Sequence, residues 1–183
     1  MSRHDRRSDA RSRKPAGLLR LALRLAFGVV TVRRPRESAV DRIAAFRRLS
    51  LPVRHATRVH WDDHLVPFIE AREDHDAAVA MGAVHGHLRL GQIEIMRRIA
   101  TGRLSQALGP VAVKVDHTVR TLDFGRAVPA ILDRLPAPTR TWLDGYAEGL
   151  TAAAEGSPPP EELAILGLSP EPWNAADVLT IGR

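Results

Sequence analysis

The sequence predicts an α+β chain that is mainly helical, with a β-ribbon ahead of the helices. Two observations predict it: apolar and polar residues alternate around a short polar turn between residues 57 and 71, and apolar residues then recur every three or four positions over long stretches. With 183 residues, 44% hydrophobic and 26% charged, the chain is long and apolar enough for one ordinary globular domain. It has no cysteine, which excludes a disulfide framework and any thiolate-held metal.

Charge divides the chain into residues 1–54 and 55–183. The first segment carries 15 Arg and Lys against 4 Asp and Glu, the second 12 against 17, so the overall net charge of +6 comes from the N-terminal arm. Only Lys14 and Lys114 are lysines. Within the arm, Leu18, Leu19, Leu21, Leu23, Leu25 and Phe27 are interrupted by Arg20 and Arg24, four residues apart on one side of a helix. That pattern suits either a poorly ordered arm or an amphipathic helix lying on an anionic membrane surface. The longest uncharged stretch there, Leu25 to Val32, falls far short of the roughly 20 residues a bilayer crossing needs. The same charges and the following Arg33-Arg34-Pro35 make a poor secretory signal, so the compartment stays open.

Past residue 55, Thr57 to Trp61 and Val66 to Ala71 read as two strands joined by Asp62-Asp63-His64-Leu65, with Pro67 restricting the second to an edge or bulge. Asp74 can cap a helix running to about Gly86. A second helix follows, with Leu90, Ile93, Met96, Ala100, Leu104 and Leu108 on one buried face and Gly109-Pro110 at its end. Val111 to Val115 is strand or loop, and Ala127 to Leu135 a short helix. Thr139 is expected to cap the next helix, whose face carries Trp142, Leu143, Tyr146, Ala147, Leu150 and Ala154. Gly156-Ser157-Pro158-Pro159-Pro160 breaks it. Asn174 and Asp177 form a capping pattern for a last helix, expected to continue in a longer parent sequence because only nine residues follow Asn174.

No residue is assigned a catalytic role, and no metal ligand is assigned. His60 and His64, or His85 and His87, could approach a metal, but no third ligand stands at a diagnostic spacing, and polar surface histidines account for them. None of Ser50, Ser105, Ser157 or Ser169 lies in a G-x-S-x-G elbow. Gly82, Gly86 and Gly91 do not follow the dinucleotide fingerprint, there is no phosphate loop, and the few aromatics are not interleaved with the basic arm as a nucleic-acid binder would have them. Arg97 and Arg98, three and four residues after Glu94, are expected to form helix-surface pairs. Gly145 and Gly149 are expected at close helix packing, and Trp173 as a staple at the start of the last helix.

Three blocks resemble the α-chain start of the penicillin acylase (penicillin amidase) family of N-terminal-nucleophile hydrolases. Asp62 to Ala71 resembles the family ribbon D-x-x-G-V-P-H-I-x-A, with Leu65 where glycine is usual and Phe68 where histidine is usual. Gly82 to Gly109 is similar to G-Y-x-x-A-Q-D-R-L-x-Q-M-x-x-x-R-R-x-x-x-G-x-L-x-E-x-x-G, matching at Arg89, Leu90, Gln92, Arg97, Arg98, Gly102 and Gly109. Gly86-His87-Leu88 replaces the usual A-Q-D, and Gln106 the usual acid. Gly145 to Leu150, then Leu166 to Trp173 and Asp177, resemble G-Y-A-x-G-x-N-A followed by L-G-x-x-P-E-P-W, with Thr151 for the usual Asn.

The resemblance implies a four-layer αββα fold in which this chain is the helical part and its ribbon joins a sheet supplied elsewhere. It implies an amidohydrolase made as one precursor, whose nucleophile is an N-terminal serine on a separate β chain and whose substrate is a small amide. On that reading this chain is inactive alone, needs no cofactor of its own, and partners a β-chain-like catalytic portion, which supplies most ligands for any calcium in the complete enzyme, in the periplasm. The alternative is a non-catalytic remnant that binds an anionic surface through residues 1–54. Helices 90–108 and 139–154 are expected to leave apolar surface uncovered.

Overall fold

The computed structural model of the protein describes residues 38–183. The amphipathic pattern at residues 18–27 lies outside them. Residues 38–54, read from sequence as the end of the basic arm, fold onto the ribbon and the first long helix. Helix α1 (Ala39–Phe46) starts with a capping box in which Ser38 and Asp41 exchange bonds with each other's backbone. Phe46 is buried against Ala83 and Val84, with Leu49, Leu51, Val59, Trp61 and Leu88 packed around them. The Arg42 guanidinium donates to the Leu88 carbonyl at 2.9 Å.

Strands β1 (Arg58–Trp61) and β2 (Pro67–Glu70) form an antiparallel ribbon in which Arg58 faces Glu70 and Trp61 faces Pro67. Pro67 opens its strand, where its missing N–H costs no ladder bond. Val59, Trp61 and Ile69 turn inward, while His60 and Phe68 pair on the outer face with rings stacked 5.4 Å apart. The turn holds Leu65 at φ 62°, a left-handed conformation natural to glycine. It suits the glycine that stands here in the family pattern this turn resembles. Here two bonds to the Asp62 carboxylate, from the His64 and Val66 amides, brace the turn around a leucine.

The two helices expected at 75–86 and 90–108 are one 27-residue helix, α2 (Asp74–Ala100), with a break in helical geometry at Arg89 (φ −139°, ψ 18°). It stops earlier than periodicity predicts because Gly102 adopts φ 62°: the Arg103 amide reaches the Arg98 carbonyl and the Gly102 amide that of Ile99, a Schellman close. Helix α3 (Ser105–Leu108) and a 3-10 turn (Gly109–Ala112) follow. Val111 to Val115 is neither strand nor loop; from Val113 it is helix α4 (Val113–Leu122). The Asp116 carboxylate decides this, accepting the Leu104 and Ser105 amides at 2.7 and 2.8 Å and so binding α4 to the start of α3. Burial alone would raise the Asp116 pKa, but these bonds, the Ser105 side chain and the nearby Arg120 outweigh it and hold it low.

A 3-10 turn (Phe124–Ala127) leads to α5 (Val128–Leu132). Helix α6 (Ala137–Gly156) is capped by Pro136, not by Thr139, which lies inside its first turn; Pro138 fits that turn because its fixed φ is helical. Leu143, Ala147 and Leu150 are buried as expected, joined by Gly145, Gly149 and Ala153, so the buried stripe ends on Ala153 rather than Ala154. Helices α7 (Glu161–Ile165) and α8 (Ala175–Ile181) complete the chain. The α8 capping box between Asn174 and Asp177 forms as read from sequence.

The core is the pairing of α2 with α6. A Cβ on Gly82 would collide with the Tyr146 carbonyl oxygen, and one on Gly149 with that of Val79. Backbone lies against backbone here, which is why both helices carry glycine despite its cost to a helix.

Candidate functional site

The second half of α2 departs most from its sequence reading. Leu90 is buried, but Met96 is 45% exposed, and the buried positions are Gly91, Glu94, Arg97 and Arg98. The pairs expected on the helix surface are interior: Glu94 is 0% exposed, Arg97 1% and Arg98 2%. Glu94 Oε1 accepts from Arg97 at 2.6 Å and Arg98 at 2.5 Å. Arg97 also donates to the carbonyls of Glu171 and Pro172 and lies 3.4 Å from the Asp177 carboxylate, with its guanidinium 4.2 Å from the centre of the Trp173 ring. Glu171 meets Arg103 at 3.1 Å and Arg98 at 3.6 Å. Burial would raise the Glu171 pKa, but the hydrogen bond and charge of Arg103, then Arg97 and Arg98, hold it below the ordinary range.

This cluster fixes the segment leading into α8. Trp173 is buried with Leu150 and Ala147, and Val178 packs against it, which is the expected staple. Its amide donates to Thr151 Oγ1 at 2.9 Å, so the residue replacing the family's usual Asn supplies an acceptor to this segment.

Beside the cluster, α2, α6 and α8 enclose an open groove of about 480 Å³. Its apolar wall is Ile93, Met96, Leu150, Val178 and Ile181, with Trp173. Its polar part is His85, Arg89, Gln92 and Tyr146. The His85 ring shares a 2.8 Å hydrogen bond with the Tyr146 hydroxyl, and Trp142 stacks on Tyr146. Burial, then the Arg89 charge, lowers the His85 pKa, and burial raises that of Tyr146, so both are neutral at pH 7.

The other histidines read as metal candidates are apart from one another. His60 is on the ribbon face and His64 in its turn. His87 Nε2 donates to the Arg42 carbonyl at 2.8 Å, and its Nδ1 shares a 3.2 Å hydrogen bond with Ser157 Oγ. His87 thereby joins α1 to the end of α6, away from the groove. Among the described residues no three His, Asp or Glu side chains gather as a metal site. Ser105 lies beside Asp116, and the sequence offered no signal for the groove beyond the helical spacing of Ile93, Met96, Tyr146 and Leu150.

At the N-terminal end of α2, buried Asp76 accepts the amides of Arg54 and His55, both at 2.9 Å, and lies 3.2 Å from the rings of His55 and His75. Burial would raise its pKa, but the Arg54 amide, the His75 ring and the two His55 contacts together hold it at about 2. His75 Nε2 in turn lies 3.4 Å from Glu148 on α6.

Residues 56–183 match the model of the penicillin amidase family. A penicillin acylase 2 proenzyme of Pseudomonas sp. (strain SE83) is 39% identical over 136 residues, covering 74% of this chain and 17% of that protein. An acyl-homoserine lactone acylase of Pseudomonas syringae pv. tomato is 32% identical over 114 residues, covering 61% and 14%. Among solved structures, a thermostable penicillin G acylase from Alcaligenes faecalis superposes with a TM-score of 0.63 at 26% identity, covering 69% of each chain. The helices and ribbon are thus the helical part of an N-terminal-nucleophile hydrolase fold. The chain belongs to the penicillin amidase family. It spans only about a sixth of the length of the Pseudomonas proenzyme it matches.

Proposed function

We propose that this chain is the α-side portion of an amidohydrolase that cleaves a linear amide by acyl transfer to the N-terminal serine of a separate catalytic portion. The observation that carries this reading is the match of residues 56–183 to the family, over a region that is only 17% of the Pseudomonas proenzyme. The chemistry assigned to the partner is self-contained. An α-amino group titrates near 7.7–8.0, so a serine at a chain start carries its own base beside its hydroxyl. Oriented donors then hold the tetrahedral oxyanion.

The residues of this chain act as support. Glu94, Arg97 and Trp173 set the direction of α8, and α2 against α6 provides a rigid base for the groove. The proposed substrate is an amide with a hydrophobic or dicarboxylic acyl arm; the relatives' names, a penicillin acylase and an acyl-homoserine lactone acylase, support an acylated amide as its class. Calcium, where the complete enzyme uses it, belongs to the catalytic portion.

The test is to co-express the full chain with the Pseudomonas proenzyme lacking its matched region, and to assay hydrolysis of a chromogenic acyl-anilide. Hydrolysis that needs both chains, and neither alone, is expected. A complex that forms yet never hydrolyses, or activity from this chain by itself, overturns the reading.

A further inference from the structure

The start of α2 holds two imidazoles, and each stands between two carboxylates. Asp76 is fully buried, and each of its oxygens takes one backbone amide and one ring. Oδ1 accepts the Arg54 amide at 2.9 Å and lies 3.2 Å from His75 Nδ1, while Oδ2 accepts the His55 amide at 2.9 Å and lies 3.2 Å from His55 Nδ1. An ionised carboxylate only accepts, so both rings carry a proton on Nδ1. Their far nitrogens lie near further carboxylates. His75 Nε2 is 3.4 Å from Glu148 on α6, and His55 Nε2 is 3.6 Å from Glu73, which immediately precedes α2.

In a neutral ring with its proton on Nδ1, Nε2 is a bare lone pair, and a lone pair facing a carboxylate is repelled by it. One more proton on each ring turns both contacts into ion pairs. The charged groups that face the two rings are Glu73 and Asp76 at the start of α2 and Glu148 on α6, and among the described residues no Arg or Lys pairs with any of the three. The positive end of α2 opposes a charge on His75, but it amounts to roughly half a charge. Against it stand two full carboxylate charges, at 3.2 and 3.4 Å. The His75 ring is only 5% exposed and packs on Gly145, where a Cβ would come within 3.1 Å of it, so it is held against α6 beside Glu148.

We propose that this cluster is a proton-operated latch: uptake of a proton by His75, and by His55 beside it, ties the start of α2 to α6 and to the segment that carries α1. An imidazole ordinarily titrates at about 6.5, so the latch closes in mild acid and opens as the pH rises through neutrality. The ion pairs exist only in the folded chain, and the stability they add is present in mild acid and lost as the pH rises. In the open state Glu148 and Glu73, 49% and 45% exposed, turn to water while both rings stay on Asp76. His75 is the stronger half, because His55 is 34% exposed and its pair with Glu73 is screened by solvent.

Thermal unfolding of the full chain, followed by circular dichroism at about pH 5.5 and about pH 8.5, brackets the imidazole range and tests the latch. Glu148→Gln should lower the midpoint by about 2–4 °C at the lower pH and leave it unchanged at the higher. Glu148→Lys should lower it further in acid, where like charges meet, and raise it above wild type at the higher pH, where the ammonium donates to the bare Nε2. Asp144→Asn is the control on the same helix: its partner Arg140 stays charged at both pH values, so its effect should be the same at both. In a His75→Gln background the effect of Glu148→Gln should lose its pH dependence. A Glu148→Gln loss that is equal at the two pH values, or absent at both, overturns the proposal, as does a Glu148→Lys loss that pH does not change. Persistence of the pH dependence without His75 overturns it too, and if His75→Gln does not fold, the two Glu148 variants decide the matter alone.

Discussion

The two halves of α2 bury opposite chemistry. Past the buried His75 and Asp76 of its first turn and before Arg89, the inward residues are small or aliphatic, and Ala78, Gly82, Ala83 and Gly86 let the helix lie against the α6 backbone. After it the inward residues are large and charged, and Glu94, Arg97 and Arg98 reach across to the segment leading into α8. The first half fixes a distance and the second fixes an orientation. Both are intolerant of change, but the first fails by overpacking and the second by leaving a charge without its partner.

The largest effect should therefore come from the second half. Glu94→Ala removes the fully buried carboxylate that Arg97 and Arg98 share, leaving them only the longer contacts to Asp177 and Glu171, and should cost about 3–5 kcal/mol in chemical denaturation. A loss under about 1 kcal/mol would mean that water reaches these groups in solution, and the contrast between the halves would disappear.

In the first half, Gly149→Ala drives a methyl into the Val79 carbonyl and should cost about 1–3 kcal/mol or more. Gly125→Ala is its control, since a Cβ there meets only Thr180 at 3.9 Å and should change stability little. Similar losses at both glycines would show that helix contact is not what selects Gly149.

Acid sharpens the comparison at the start of α2. The folded pKa of Asp76, about 2, lies below its ordinary 3.8. Its contribution is therefore complete above that ordinary value and drains away as the pH falls from about 4 toward 2. Circular dichroism melts across that range should show the transition falling with pH, less steeply in Asp76→Asn. An unchanged slope would place the acid sensitivity at Asp116 or Glu171, whose pKa values are lowered as well. The smallest loss, the Gly125→Ala control aside, is expected at Asn174→Ala, about 1 kcal/mol from removal of the α8 cap.

Local signals in the sequence survive folding well. The ribbon, the Asn174 capping box, the Trp173 staple and the small residues at Gly145 and Gly149 are where reading the residues puts them. The misreadings share one cause. Spacing tells which residues share a helix face, and says nothing of what covers that face. Glu94 with Arg97 and Arg98 has the spacing of a solvated pair, and only the segment 171–173, some 75 residues away, makes it interior. The same periodicity puts Met96 on the buried face, and its real neighbours leave it open. Val113 and Val115 have strand propensity, but the Asp116 carboxylate on the α3 amides decides for helix. The groove is legible only as scattered apolar positions, because its three walls come from distant parts of the chain.

The facing glycines also bear on how this part of the family can change its length. Gly82 and Gly149 must each stand opposite a carbonyl of the other helix, so their register is set along both axes at once. Inserting or deleting one residue ahead of either contact turns that helix by about 100° relative to its partner and brings a side chain to the closest approach. Gains and losses of sequence in relatives should therefore collect in the turn at 62–65, around 109–112 and along 157–160, with the spacing from Val79 to Gly82 within α2 and from Tyr146 to Gly149 within α6 kept constant.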